Sequence, residues 1–423
     1  MALVPRAEVH VIAQTAPAAT PATAEGVDSP RAWLVVAATF LATSTAFFIT
    51  YSFTTFFTEM AATFGSNSAS TSTLFSLTIF FLFVLGLPAG RIADRIGPRP
   101  VMAVGAVVLV SGLFLTSAVS RIEYGYLTYG LGVGFGVACC YVPVIAQVTG
   151  WFDRHRATAL GIASAGIGVG TILGPPVSQA LIDATDWRVT YRILGVAAAV
   201  GFSLAIILVR GAPGLVSAEP PKLRGLFGDP VFRAMYFSGF LMTIGLFVPF
   251  VYLKPYAELK GISPGTAATL VSALGVGSLL GRLLLGAIAG PLGLMRLYQL
   301  CFVTVAGSFL IWLAAGSNVW ALGAFMFVLG TAYGGYVALS PAAAAHLFGL
   351  DGLGGKIGAM YTAGGVGGLI SAPAAGALID RTDGYTSTIV LAFVVSTAGM
   401  LVLRRALSLS ENTAGGRQSA TTS

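Results

Sequence analysis

Arg282 stands in the middle of a long apolar run, 266–290, and no acidic residue lies at comparable depth in that run or in any other hydrophobic segment. Holding a guanidinium in hydrocarbon costs about 3 kcal/mol on insertion scales. A group kept there without an internal counter-charge is expected to face a wet cavity and to meet an anion that arrives from outside. A guanidinium grips a carboxylate through two parallel N–H···O bonds, a geometry that a lysine ammonium does not reproduce. Tyr51, Tyr141, Tyr333, Tyr336 and Tyr361 lie in other apolar segments. Each joins an apolar wall to a hydroxyl suited to a hydroxy or keto group. Tyr333 and Tyr361 also adjoin Gly334-Gly335 and Gly364-Gly365, pairs expected to bend as a gate. This chemistry is non-covalent binding of a small organic anion. No His-Glu-x-x-His, no Gly-x-Ser-x-Gly and no intramembrane carboxylate pair occurs, so an enzyme is not expected. Cys139, Cys140 and Cys301 have no metal-ligand spacing and read as buried free thiols; no metal or cofactor is expected.

The elements that must position these groups follow from composition. Of the 423 residues 56% are hydrophobic and only 9% charged, and mean hydropathy is +0.86, the signature of a polytopic membrane protein. About 20 apolar residues cross a hydrocarbon core of about 30 Å as a helix. The hydropathy pattern predicts helices near 33–57, 71–89, 101–119, 124–150, 157–182 and 189–209, then near 231–256, 266–290, 295–316, 319–348, 357–379 and 386–403. The expected fold class is therefore an all-α membrane protein of twelve transmembrane helices in two pseudo-symmetric six-helix bundles. The expected organisation is a disordered cytoplasmic tail over 1–30, bundles over 31–210 and 231–405, a polar proline-bearing linker over 211–230 and a second disordered cytoplasmic tail over 406–423.

Basic residues set the expected orientation. Arg91, Arg95, Arg99, Arg154, Arg156, Arg210, Lys222, Arg224, Arg233, Arg404 and Arg405 fall on one side, with Glu59, Glu123, Asp183, Asp186, Glu258, Asp380 and Asp383 on the other. By the positive-inside rule both termini are cytoplasmic. The same bias accounts for the net charge of +7 and leaves no reason to invoke nucleic acid; the lipid bilayer is the large partner. The cell membrane, of bacterial inner-membrane type, is the expected location. Lys254, near the outer end of the seventh helix, reads as a snorkelling surface lysine, and His346 as a surface histidine.

Internal repetition supports two related halves. Ala-Leu-Ile-Asp-x-Thr-Asp occurs at Ala180 to Asp186 and again at Ala377 to Asp383, each time closing a Gly-rich helix that carries Pro175 or Pro373. Gly90-Arg91-Ile92-Ala93-Asp94-Arg95 has a worn counterpart in Gly286-Ala287-Ile288-Ala289-Gly290-Pro291. Duplicated transporters place their substrate between the halves near the midplane and rock one half against the other.

The loop Gly90-x-x-x-Asp94-Arg95-x-Gly97-x-Arg99 resembles the cytoplasmic signature of the major facilitator superfamily, and the resemblance spans essentially all twelve segments. It implies a latch in which Asp94 accepts from helix N-termini and arginines of the other bundle, with Gly90, Arg95, Arg99, Arg154 and Arg156 as further gating residues. Trp151 to Gly161, Pro249 to Leu253 and the pair Gly281-Arg282 resemble the monocarboxylate transporter branch, which includes bacterial oxalate:formate exchangers. His155 replaces the first arginine of that branch's Arg-Arg pair. The branch implies Arg282 as the carboxylate anchor. The aspartate and lysine of its proton-linked set are replaced by Ser278 and Tyr51, and the second cation of the oxalate exchangers by Gly364. The combined reading is a secondary transporter of a small monocarboxylate of lactate or pyruvate type working by alternating access. Protons are a possible second partner, with symport as the corresponding mode. An organic-anion exchanger is the alternative. A drug:proton exporter lacks its membrane acid, and a receptor lacks an output domain. Gly170-x-x-x-Gly174-Pro175 partly resembles an antiporter signature, but small-residue packing beside a proline kink explains it as well.

Overall fold

The computed structural model describes residues 25–211, 225–349 and 352–421. Twelve membrane-length helices run through them: α1 Pro30–Phe64, α2 Ser68–Ile96, α3 Pro98–Thr116, α4 Ile122–Trp151, α5 Arg156–Ala184, α6 Trp187–Leu208, α7 Pro230–Leu259, α8 Pro264–Leu292, α9 Leu294–Ala315, α10 Val319–Phe348, α11 Leu353–Thr382 and α12 Thr386–Thr421. The expected all-α, twelve-helix architecture is the one found.

Several helices reach beyond the apolar windows, because hydropathy marks the hydrocarbon core and not the end of hydrogen bonding. The expected loop from Gly90 to Arg95 is in fact the last turns of α2, which continues through Pro88 to Ile96. Only Gly97, at φ +88°, separates α2 from α3; Pro98 then starts α3, whose first turn carries Arg99. Two helices are interrupted. α1 breaks at Ser52, between Pro30–Tyr51 and Phe53–Phe64, and α7 breaks at Phe247, where Pro249 follows closely and supplies no N–H. α4 holds a π-helical stretch at Tyr126–Leu131.

The two halves repeat one packing scheme. α2 lies on α4 as α8 lies on α10, α3 on α6 as α9 on α12, and α1 on α5 as α7 on α11. The halves meet along two seams, α2 with α11 and α5 with α8, which are images of each other under the same exchange. Successive helices alternate in direction. One face, the Asp94 face, therefore gathers the ends of α2 and α10 with the starts of α3, α5 and α11. The opposite Asp380 face gathers the starts of α2 and α8 with the ends of α7 and α11.

On the Asp380 face the halves are bonded together. Asp380, at the end of α11, accepts from the backbone N–H groups of Ser68 (3.0 Å) and Ala69 (3.1 Å), capping α2 from across the seam. Tyr252 donates to Ser68 O at 3.1 Å, Thr54 to Val251 O at 3.1 Å and Thr58 to Glu258 Oε2 at 3.2 Å. The repeat has diverged here: Asp183, the counterpart of Asp380, accepts from Gln179 on its own helix.

Lys254 corrects an expectation. It is only 2% exposed and donates to Glu258 Oε1 at 2.5 Å, one turn away on the same helix. The end of α7 packs on α1 and α8 instead of lying against solvent, so the ammonium meets a carboxylate where water was expected. His346 is exposed as expected, and the three cysteines are buried and free.

The tails and linker divide in the same way. Residues 1–24 and 212–224, with Lys222 and Arg224, lie outside the described residues. The last part of the expected N-terminal tail is extended over Glu25–Asp28 and anchored: the Asp28 carboxylate accepts from Arg154 N at 3.0 Å and His155 N at 3.3 Å. The backbone N–H of Arg154 above all holds the Asp28 carboxyl below its usual pKa. Within the expected disordered tail over 406–423 α12 continues through Thr421, and at its start Ala406 and Leu407 extend the buried face of Leu403 at i+3 and i+4.

Candidate functional site

The site is built from a close approach of two helices. α8 carries Gly277 and Gly281, and α10 carries Gly330 and Gly334. A Cβ on any of the four would run into the carbonyl oxygen of the facing helix, at Phe327, Thr331, Leu274 and Ser278 respectively. Such backbone-to-backbone contact is the small-residue mode of packing in lipid. In this state Gly334-Gly335 serves close packing and makes no bend. α10 is a continuous helix there, and Gly335 is pressed against Leu285 and Cys301. Gly365 likewise packs on Phe83, within an unbroken α11.

Arg282 follows Gly281 directly and is 8% exposed. Its Nε donates to Ser278 Oγ at 3.4 Å, a long bond, and its Nη2 is buried without any hydrogen-bond partner among the described residues. Its guanidinium carbon lies 5.9 Å from the centre of the Tyr333 ring. Tyr333 in turn shares a 3.1 Å hydrogen bond between hydroxyls with Tyr51, which links α10 to α1 across the two halves. Phe250 wedges beside both rings, 4.8 Å from Tyr51 and 5.7 Å from Tyr333, while Phe47 sets its ring edge-on to Tyr141 at 5.0 Å.

Arg282, Tyr333, Tyr51, Phe47 and Tyr141 line one cavity of about 230 Å³. All five tyrosines singled out in the sequence reach it together with Arg282: Tyr51 from α1, Tyr141 from α4, Tyr333 and Tyr336 from α10 and Tyr361 from α11. Tyr361 is the most open of them, at 36% exposed. Other lining residues carried no sequence signal. Ile79, Leu82 and Phe83 of α2, Thr243, Leu246 and Phe247 of α7, and Ser340 of α10 read as ordinary membrane residues. Only the proline beside the break in α7 hinted that the chain turns there.

The cavity extends toward the Asp94 face as far as Leu87 and Gly354. Toward the Asp380 face it is shut by the Tyr51–Tyr333 pair and, beyond it, by the cross-half bonds described above. None of the six expected gating residues makes a hydrogen bond or ion pair to the other half among the described residues. Asp94 and Arg95 are exposed, and Gly90 lies next to Val142 of its own half. Arg99 donates to Val209 O (2.9 Å) and Ile207 O (2.8 Å), tying α3 to the end of α6. Arg156 pairs with Asp153 at 3.0 Å, and the backbone of Arg154 is held by Asp28. No bond of the expected latch is made in this state: Asp94 and Arg95 face outward, while Arg99, Arg154 and Arg156 are held within their own half.

A cavity between two related bundles, shut toward the Asp380 face, is a geometry for exchange between two faces. The family model of the Major Facilitator Superfamily matches residues 39–317 and again 235–421. An MFS-type transporter, pynF, of Aspergillus niger is 32% identical over 83% of this chain and 82% of its own length. Monocarboxylate transporter 12-B of Danio rerio is 29% identical, with 90% and 88% covered, and monocarboxylate transporter 13 of Bos taurus 30% identical, with 90% of each. Among solved structures, the nucleoside transporter NupG superposes with a TM-score of 0.70 at 13% identity, covering 89% of this chain and 99% of that one. The matched helices, the paired halves and the central cavity together make the chain a transporter of the Major Facilitator Superfamily.

Proposed function

We propose that the chain carries a small monocarboxylate, of which lactate and pyruvate are the simplest forms, by alternating access, with Arg282 as the carboxylate anchor. The observation that carries this reading is the buried, unpartnered Nη2 of Arg282 in the wall of the central cavity. An orphaned charged donor is costly, and a carboxylate accepting two parallel bonds removes the cost. Tyr51, Tyr141 and Tyr333 stand ready for a 2-hydroxy or 2-oxo group, with Tyr361 nearer the mouth. Relatives named monocarboxylate transporters support the same substrate class. No second cation lines the cavity among the described residues, which disfavours a dicarboxylate. In this reading the Asp94 face is cytoplasmic, the protein sits in the cell membrane, and the state described here is the one closed to the outside.

The reading is tested by uptake of labelled lactate and pyruvate into proteoliposomes, with and without an inward proton gradient. Saturable uptake is expected. Stimulation by the gradient assigns symport, stimulation by internal acid alone assigns exchange, and no uptake of either acid or of any larger monocarboxylate overturns the reading.

Asp94 acts at a different step. Its partners across the seam are absent in this state, so the latch belongs to the opposite state, where the Asp94 face closes. Asp94→Asn is therefore expected to slow turnover severalfold while leaving substrate affinity within about twofold, since it alters a gate and not the site. A variant that loses affinity at unchanged turnover would place Asp94 in the binding machinery instead.

A further inference from the structure

The shape of the cavity narrows the substrate beyond its carboxylate, and this step rests on Arg282 as the anchor. We infer that the preferred substrate is a monocarboxylate with a ring-sized apolar body, of the 2-hydroxy- or 2-oxo-3-arylpropanoate class, and not a three-carbon acid.

The first reason is volume. The cavity of about 230 Å³ leaves room beside Arg282 for a body larger than a three-carbon chain. The second is what surrounds the remainder. Away from Arg282 and the tyrosine hydroxyls the wall is mostly apolar, with Ile79, Leu82, Phe83, Leu246, Phe247 and Met360 in it and Thr243 and Ser340 as its other polar side chains. Waters left against the apolar stretch would lack the two to four polar partners that hold them, and an apolar group placed there gains from burial. The third is the ring lining: Phe83 and Tyr361 lie 5.9 Å apart with planes inclined at 58°, and Phe247 adds another aromatic face, surfaces that suit edge and offset contacts with a substrate ring. The fourth is the charge count. Arg282 is the one cation in the lining among the described residues, which matches one carboxylate and no second acid on the far end.

Gly364 supplies a probe of this space. It lines the cavity, and a Cβ there would meet only the Phe83 ring, at 3.7 Å, an ordinary contact. Gly364→Leu therefore adds bulk to the lining from a Cβ that strikes no backbone.

The experiment compares 3-phenyllactate and phenylpyruvate with lactate and pyruvate in proteoliposomes holding wild type, Gly364→Leu or Arg282→Lys. The wild type is expected to favour the aryl acids at least tenfold in kcat/KM, and Gly364→Leu to reduce that ratio at least fivefold. Because Gly364→Leu can lower folded yield, the thermal stabilisation of detergent-purified wild type is measured as well. 3-Phenyllactate is expected to raise Tm at concentrations at least tenfold below those of lactate. Equal or better handling of lactate, with uptake still lost in Arg282→Lys, overturns the size inference and leaves the carboxylate reading standing. Aryl-acid uptake that survives Arg282→Lys overturns the reading and this inference with it.

Discussion

Arg282→Lys abolishes carboxylate transport, by the expectation that follows from its place in the cavity, and Arg282→Ala does the same. The lysine variant is the more informative because it keeps the positive charge. What it loses is the planar fork: two parallel N–H···O bonds to one carboxylate become a single flexible contact from an ammonium on a shorter reach. Hydrogen bonds to charged groups contribute about 1.5–3 kcal/mol each, so losing one of the pair costs roughly one to two orders of magnitude in binding, and alanine costs more. The lysine also gives up the contact of the guanidinium with the Tyr333 ring and the bond to Ser278 Oγ that set its direction. Insertion and folding are expected to remain intact, because Arg282 has no other hydrogen-bonded neighbour among the described residues and no buried carboxylate depends on it. The measurement is labelled-acid uptake into proteoliposomes, normalised to monodisperse protein. Wild-type uptake in either variant would remove Arg282 from the site.

The second large effect is on the fold itself. Gly334→Ala is expected to lower the folded yield and to depress Tm by several degrees. Its new methyl would lie inside contact distance of the Ser278 carbonyl, with the Ser278 Cα and carbonyl carbon both at 2.8 Å. The listener to that clash is backbone, which cannot swing away as a side chain would. Overpacking of this kind costs about 1–3 kcal/mol when neighbours can adjust. Here α8 and α10 must separate along a line already occupied by Gly277, Gly281 and Gly330. Ser278 holds Arg282, and Tyr333 precedes Gly334, so both anchor and lid lose their register and transport falls with stability. Gly286→Ala is the control: it lies on the facing helix α8 with open space around its Cβ. Scanning fluorimetry of the two variants in one detergent decides the matter, and equal Tm values would show that α8 and α10 do not touch as described.

Much of this protein was legible without coordinates. Twelve helices followed from the length and spacing of the apolar runs, because lipid leaves a chain little choice but to bond its backbone within each span. Two related halves followed from the repeated Ala-Leu-Ile-Asp motif, and the choice of Arg282 as a candidate anchor from the absence of any acid at its depth. The tyrosines were legible by type alone, as polar handles on apolar helices.

What tertiary structure decided depended on which faces meet. The same Ala-Leu-Ile-Asp stretch ends in Asp380, which caps α2 across the seam, and in Asp183, which bonds only its own helix. Lys254 looked like a surface lysine until α7 was packed on α1 and α8. Gly334 and Gly335 suggested hinges because glycine serves both bending and close packing, and only the neighbouring backbone distinguishes the two uses. The cavity was the least legible feature, since its volume is the space left between side chains from eight helices and belongs to no segment of the chain. Hydropathy and spacing are local and survive translation into sequence; a seam, a cap in trans and an empty volume exist only once distant helices are brought side by side.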